Sequence, residues 1–307
     1  MNSRDGCCIQ ASMIGRLVIV PDQVEVDTEL RVKLEEHLEQ GGSLLVTGTS
    51  GLGADSPRWD ALGIEWLGRR PVAPGYLLID DDMPDVAEPM PHVIEARGQR
   101  IAALEGTETL LRIGEPYFER TPTSFTSHTY APLARRTDEP AVVRKGNAVY
   151  CAYPLFRAYL THGNVVFRKL VGRLVDLLLE PVLRTDAPTT ARLTVLDQSA
   201  EGESRRLVHV LHYPAVRRTD ARGGAVEPLD MIEDLLPLVD VRVDVASMKP
   251  ERVYLVPSLE EIDFSWVDGR TSFTIPYVPG HQIACIATEV PDGSSRGNSP
   301  PRAFWRQ

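Results

Sequence analysis

Cysteine is scarce in this chain: four residues (Cys7, Cys8, Cys151 and Cys285) in 307. So few do not make a disulfide framework, and none forms a C-x-x-C pair with metal spacing. They are read as reduced thiols in a cytoplasmic protein, with no metal site. Long apolar runs are also missing. Nowhere do about 18 apolar residues follow one another, so no membrane-spanning helix is expected. Positive charge is in deficit, with 33 basic residues against 43 acidic ones and a net charge of −10. No segment gathers the lysines and arginines that neutralise phosphates, which excludes nucleic acid as a partner. The opening MNSRDGCCIQASMIGRLVIV lacks a small-residue cleavage site after its apolar stretch and does not read as a secretory signal. What the chain does have is 43% hydrophobic residues, enough for about two domains of roughly 100–200 residues each.

The apolar run Leu17 to Val20, closed by Pro21-Asp22, reads as a buried strand. Asp27 can cap a following helix whose Leu30, Leu34 and Leu38 share one face, and Gly41-Gly42 stops it. Ser43 to Thr47 is a second buried strand. Together they predict a βαβ unit with parallel strands buried on both faces. Shorter extended signals follow at Tyr76 to Ile79, Val93-Ile94 and Ile101 to Leu104, the last two flanking a hairpin turn at Arg97-Gly98. A second hairpin joins Val142-Val143 to Ala148 to Cys151 through Lys145-Gly146-Asn147. Val166, Leu170, Leu174, Leu177 and Leu178 then predict a long amphipathic helix over Val165 to Leu179, ended by Pro181.

Beyond Pro181 strand signals recur at Arg192 to Leu196, Leu207 to Leu211, Val239 to Val245, Val253 to Val256, Ser272 to Ile275 and Ile283 to Ala287. No helical pattern separates them, so a β-sandwich is expected. The end, PDGSSRGNSPPRAFWRQ, is Gly/Pro/Ser-rich and expected to be disordered.

Several motifs invite chemistry. Thr47 to Gly53 is glycine-rich after a strand, but its glycines run G-x-x-G-x-G, not the G-x-G-x-x-G of a dinucleotide loop, so a tight turn is the reading and no cofactor is implied. Ser50 has Gly at +1 where a nucleophile elbow needs it at +2. Asp80, Asp81, Asp82 and Asp85 concentrate oxygen ligands without the spacing of a calcium loop and read as a solvated acidic loop. His209 and His212 are three apart on a strand and just beyond it, which favours ordinary packing over a shared metal. The segment Glu115 to His128 is the densest mixture of aromatic, hydroxyl, imidazole and guanidinium groups. Tyr117, Phe118, Arg120, Phe125 and His128 are its candidate contacts, either to a sugar, whose C–H faces stack on rings, or to a neighbouring domain or subunit.

Four stretches in order, GRLVIVPDQVEVD…LEEHLEQGGSLLVTG, EPYFERTPTSFTSHTYAP, KGNAVYCAYPLFRAYLTHG and IEDLLPLVDVRVDV…RVYLVPS, resemble the C-terminal half of glycoside hydrolases that carry a β-galactosidase trimerisation domain. The group resembled is the hypothetical glycosyl hydrolases related to α-L-fucosidases. The resemblance implies a class I glutamine-amidotransferase-like, flavodoxin-type α/β domain over residues 16–181, a β-sandwich over 182–288, an unmatched stretch 1–15 and a tail 289–307. It also implies departures. A (β/α)8 barrel takes about 250 residues, and a match starting at residue 16 leaves no room for it or for the paired carboxylates it would carry. The first strand, helix and second strand of the trimerisation domain are likewise expected to be absent, leaving an incomplete sheet with an open edge. Thr49-Ser50 stand where amidotransferases have their elbow cysteine, so that activity is not implied. The expectation is a non-catalytic oligomerisation or accessory portion, with no catalytic residue of its own. Its partners would be copies of itself or a barrel-bearing glycoside hydrolase. The alternatives are a subunit that lends a sugar-site loop to an active glycosidase, and a carbohydrate-binding module.

Overall fold

A computed structural model of the chain describes residues 15–53, 57–79, 83–119, 121–124, 130–200, 203–217 and 230–288. The expectations for residues 1–14, for Asp80 to Asp82 and for the tail 289–307 lie outside the described residues. Strands take up 48% of the described residues and helices 15%, so these are mostly β. Two compact units divide it, Met1–Glu180 and Pro181–Gln307.

The first unit contains strands β1 (Leu17–Val20), β2 (Ser43–Thr47), β3 (Arg58–Trp59), β4 (Ile64–Arg69), β5 (Gly75–Leu78), β6 (Pro91–Ile94), β7 (Gln99–Ala103), β8 (Glu108–Pro116), β9 (Leu133–Lys145) and β10 (Ala148–Cys151). Its helices are α1 (Thr28–Glu39), α2 (Leu155–His162) and α3 (Val165–Leu178). Seven strands form one sheet in the order β1-β2-β10-β9-β8-β5-β6. β1, β2 and β10 are parallel and the remaining pairs antiparallel. A second sheet has the order β3-β4-β7.

Local chemistry explains the parallel part. The Asp27 carboxylate accepts the Leu30 N–H at 2.8 Å and starts α1. Gly41, at φ +85°, ends the helix in the left-handed region. All five residues of β2 are buried. β1 corrects the expectation of burial on both faces, because it lies at the sheet margin, where Ile19 is 40% exposed. Among the described residues it pairs with β2 alone. The Gly146-Asn147 turn joins β9 to β10 as expected, with Lys145 opposite Ala148. Asn164 caps α3 through the Val166 N–H at 3.0 Å, and the helix buries Phe167, Leu170 and Leu174.

The hairpin expected at Arg97-Gly98 does not form. β6 pairs with β5 and β7 with β4, in different sheets. Arg97 turns its guanidinium back to the carbonyls of Arg70 and Pro71. Gly98 admits the Tyr153 ring, to which an added Cβ would come within 2.6 Å.

The second unit contains β11 (Leu183–Thr185), β12 (Arg192–Ala200), β13 (Glu203–Leu211), β14 (Val216–Arg217), β15 (Asp230–Met231), β16 (Leu238–Ala246), β17 (Pro250–Val256), β18 (Phe264–Val267), β19 (Arg270–Val278) and β20 (His281–Thr288). Two four-stranded sheets, β11-β16-β19-β18 and β12-β13-β20-β17, share one core. Val241, Val243, Phe273 and Ile275 from the first meet Val208, Val210, Leu255 and Ile286 from the second. This is a β-sandwich, and all six strand segments expected from the sequence are present in it. His212 is buried, with its ring nitrogens on Thr190 Oγ1 (3.0 Å) and the Leu236 carbonyl (2.8 Å). His209 instead stacks on His281, with ring centroids 5.4 Å apart.

Carboxylates in both units lean on arginines. Hydrogen bonds from Arg135, Arg242 and Arg206 hold Glu115, Asp186 and Asp197 below their ordinary pKa. For Asp244, burial opposes ionisation, but Ser272 and Arg270 outweigh it and its pKa is also lowered. Each group's folded pKa lies below its unfolded one, so its stabilisation is complete above the unfolded value, about 4. It is lost as the pH falls through the folded value. Melting temperatures should therefore drop as the pH is lowered from about 5 to about 3; a Tm constant across that interval would contradict the pairing.

Candidate functional site

In sheets with a parallel part, ligands approach outside the carboxyl ends of the strands. Here three such ends converge. Asp22 follows β1 and is buried at φ 53°, a conformation aspartate tolerates better than most residues. Its carboxylate accepts the Thr47 hydroxyl at 2.6 Å from the end of β2, and the Arg157 N–H at 2.6 Å from the first turn of α2, after β10. α2 begins at Pro154 without a side-chain cap of its own, so Asp22 supplies the anion its N-terminus favours.

The glycine-rich segment after β2 is the turn that holds this junction. Gly48 takes φ +66°, and its missing Cβ would stand 2.4 Å from the Asp22 carbonyl oxygen. Ser50 is fully buried, and its Oγ accepts the Val24 N–H at 3.1 Å. Its oxygen is thus committed to the turn. Gly51 leaves room for the Trp59 ring.

Beside the junction lies a cavity of about 320 Å³, lined by Gln23, Arg69, Glu95, Arg97, Arg157 and His162 among others. Glu95 Oε1 accepts the Tyr130 hydroxyl at 2.9 Å. Its Oε2 is buried without a hydrogen-bond partner, 3.9 Å from His162 Nε2. The bond to Glu95, then burial, raises the Tyr130 pKa. Arg97 donates to Glu119 at 2.6 Å. Next to it, Arg70, 6% exposed, bridges Glu139 at 2.5 Å and Glu115 at 3.4 Å. Glu115 also accepts from Arg135.

The segment between β8 and β9 is thus anchored twice on the cavity wall, by Glu119 on Arg97 at its start and by Tyr130 on Glu95 at its end. Of the contacts expected from the sequence, Tyr117 is 69% exposed and Phe118 half-buried. Arg120, Phe125 and His128 lie outside the described residues. Sequence reasoning missed Glu95, Arg97 and His162. Glu95 and Arg97 were absorbed into a supposed hairpin, and His162 precedes Gly163 at the end of a helix too short to announce itself. Among the described residues no cluster of three or more histidine, cysteine or acidic side chains is arranged to hold a metal. No helix among them is long and apolar enough to cross a membrane.

No protein-family model and no curated protein matches the chain. Among solved structures, 88% of the chain superposes on an α-L-fucosidase isoenzyme 2 from Paenibacillus thiaminolyticus, with 31% identity and a TM-score of 0.77. The chain is glycoside-hydrolase-like. It spans 40% of that fucosidase's length. Weaker overlaps, each over 52% of this chain at 14% identity, occur with a ThuA-like protein from Bacteroides uniformis (69% of its length, TM-score 0.37) and an exo-β-1,4-mannosidase from Opitutaceae bacterium strain TAV5 (25%, TM-score 0.34).

Proposed function

We propose that this chain is the non-catalytic, self-associating accessory portion of a glycoside-hydrolase-like protein of carbohydrate metabolism. On this reading its first unit is an incomplete flavodoxin-like domain of the β-galactosidase trimerisation type, and its partners are further copies or a barrel-bearing glycosidase. The observation that carries the reading is the superposition of 88% of the chain on two-fifths of a fucosidase. The parallel set β1, β2 and β10, with α1 as the crossover between the first two, supports the domain assignment. The open edge of β1 supports association.

Five of the chain's carboxylates are unsuited to act as a glycosidase acid. A glycosidase needs one carboxyl held protonated as acid beside a second that is ionised. Arginines or hydroxyls press the pKa of Asp60, Glu115, Asp186, Asp197 and Asp244 downward, so these five are not held protonated as a general acid must be. A panel of aryl glycosides, fucosides and galactosides included, should give no turnover with the pure chain. Turnover above the buffer rate that persists through purification would overturn the reading.

A second reading is favoured by the double anchoring of the β8–β9 segment. A loop fixed at both ends, with Tyr117 exposed, can complete a sugar site in a neighbouring subunit, with Arg120 and His128 as hydroxyl donors. In that case adding the chain to a barrel-bearing partner would raise turnover, and Tyr117→Ala would remove the increase.

A further inference from the structure

We propose that the outer face of the β11-β16-β19-β18 sheet is a binding cleft for a neutral oligosaccharide. Strand alternation builds it. β16 and β19 send Val241, Val243, Val245, Phe273 and Ile275 into the core, which leaves Arg242, Asp244, Ser272 and Thr274 on the other face. The register lines these groups up. Arg184 stands opposite Asp244, Asp244 opposite Ser272 and Ser272 opposite Ser265, a polar row across all four strands, about 14 Å wide at strand spacing. Arg242 opposite Thr274 begins the next row.

A cavity of about 950 Å³ lies over these rows, near the top of the roughly 300–1,000 Å³ range of small-molecule sites. The groups in it are fixed in place. Asp186 accepts the Arg242 N–H at 2.8 Å and its Nε–H at 2.6 Å. Asp244 accepts the Ser272 hydroxyl at 2.7 Å and an Arg270 N–H. A guanidinium locked beside a carboxylate presents adjacent donors and acceptors at set positions. That array matches vicinal hydroxyls, each of which both donates and accepts. Pro276, next to core-facing Ile275 and so on the outer face, adds apolar surface to the cleft.

The charge balance does not favour an anionic ligand. Arg184 and Arg242 in the cavity, with Arg270 paired to Asp244 and Arg252 to Glu261, balance Asp186, Asp244, Glu261 and Asp263, so no excess of positive charge draws phosphate or a uronate. The inference rests on the second unit alone and would survive failure of the accessory reading, because binding here requires no turnover.

Calorimetric titration of the full chain with neutral trisaccharides, one fucosylated, one galactosylated and one a glucan, should show saturable binding to at least one. Inorganic phosphate should not bind. Arg242→Ala removes a fixed donor, and Thr274→Lys puts bulk into the cleft at an exposed position; each should weaken the sugar at least tenfold, with the thermal melt unchanged for Thr274→Lys. Should Arg242→Ala fail to fold, Thr274→Lys carries the test. No saturable binding by any of the three sugars, an affinity unaltered in the folded variants, or phosphate binding that Arg242→Ala abolishes would each overturn the proposal.

Discussion

Gly48→Ala should destabilise the first unit by about 2–5 kcal/mol. An alanine in the left-handed region costs about 1–2 kcal/mol, and forcing atoms into a filled space costs about 1–3 kcal/mol more. Both apply at Gly48, whose φ is +66° and whose added methyl would stand 2.4 Å from the Asp22 carbonyl oxygen. That oxygen cannot swing away, because it accepts both the N–H and the hydroxyl of Thr49, at 2.7 and 3.1 Å. Gly41 provides the comparison. Its φ is +85° with nothing within 4 Å of an added Cβ, so Gly41→Ala should cost only the conformational part, about 1–2 kcal/mol. Denaturant melts of the two variants measure the difference directly. Equal losses would mean that the close approach to Asp22 is not rigid.

Phe167→Ala should cost about 3–5 kcal/mol, the range for emptying a filled aromatic position in a core. The ring is fully buried and belongs to the cluster formed with Leu170, Leu174 and the buried strands. Leu160 is apolar too, but 85% exposed on α2, and Leu160→Ala should stay within about 0.5 kcal/mol of the parent chain. Chemical denaturation followed by fluorescence separates the two outcomes. A small loss at Phe167 would show that α3 contributes little to holding the first unit together.

The parts of the fold that sequence revealed are those in which the signal lies within the element itself. Asp27, the i, i+4, i+8 leucines and Gly41 define α1 with no reference to the rest of the chain, and Gly146-Asn147 defines its hairpin in the same way. The six sandwich segments were legible because each alternates or runs β-branched between turn residues. What failed depended on partners distant in sequence. Nothing in Val93-Ile94 specifies that it will pair with Tyr76 and Gly75, or in Ile101 that it will pair with Trp66. The Arg97-Gly98 dipeptide carries a turn signal, but its glycine serves the Tyr153 ring and its arginine serves distant carbonyls. α2 has eight residues and takes its cap from Asp22, 135 positions before Arg157, so the usual start signal is missing from its own sequence. The candidate site was legible as a composition around Tyr117 and Phe118. Its cavity wall was not, because Glu95, Arg97 and His162 come together only through the sheet order.

Each unit also carries a buried thiol, Cys151 in the first and Cys285 in the second. Burial pushes the Cys151 pKa up to about 12, so almost none of it is thiolate, the reactive form, at neutral pH. Cys285 is 1% exposed beside the Tyr254 hydroxyl. A thiol reagent meets either group only when the surrounding strands come apart. With Cys7 and Cys8 replaced by serine, labelling followed by mass analysis of the two peptides would report the opening of each unit separately, from one sample and without added denaturant. The two scarce residues would thus tell whether the α/β and sandwich halves breathe as one body or as two.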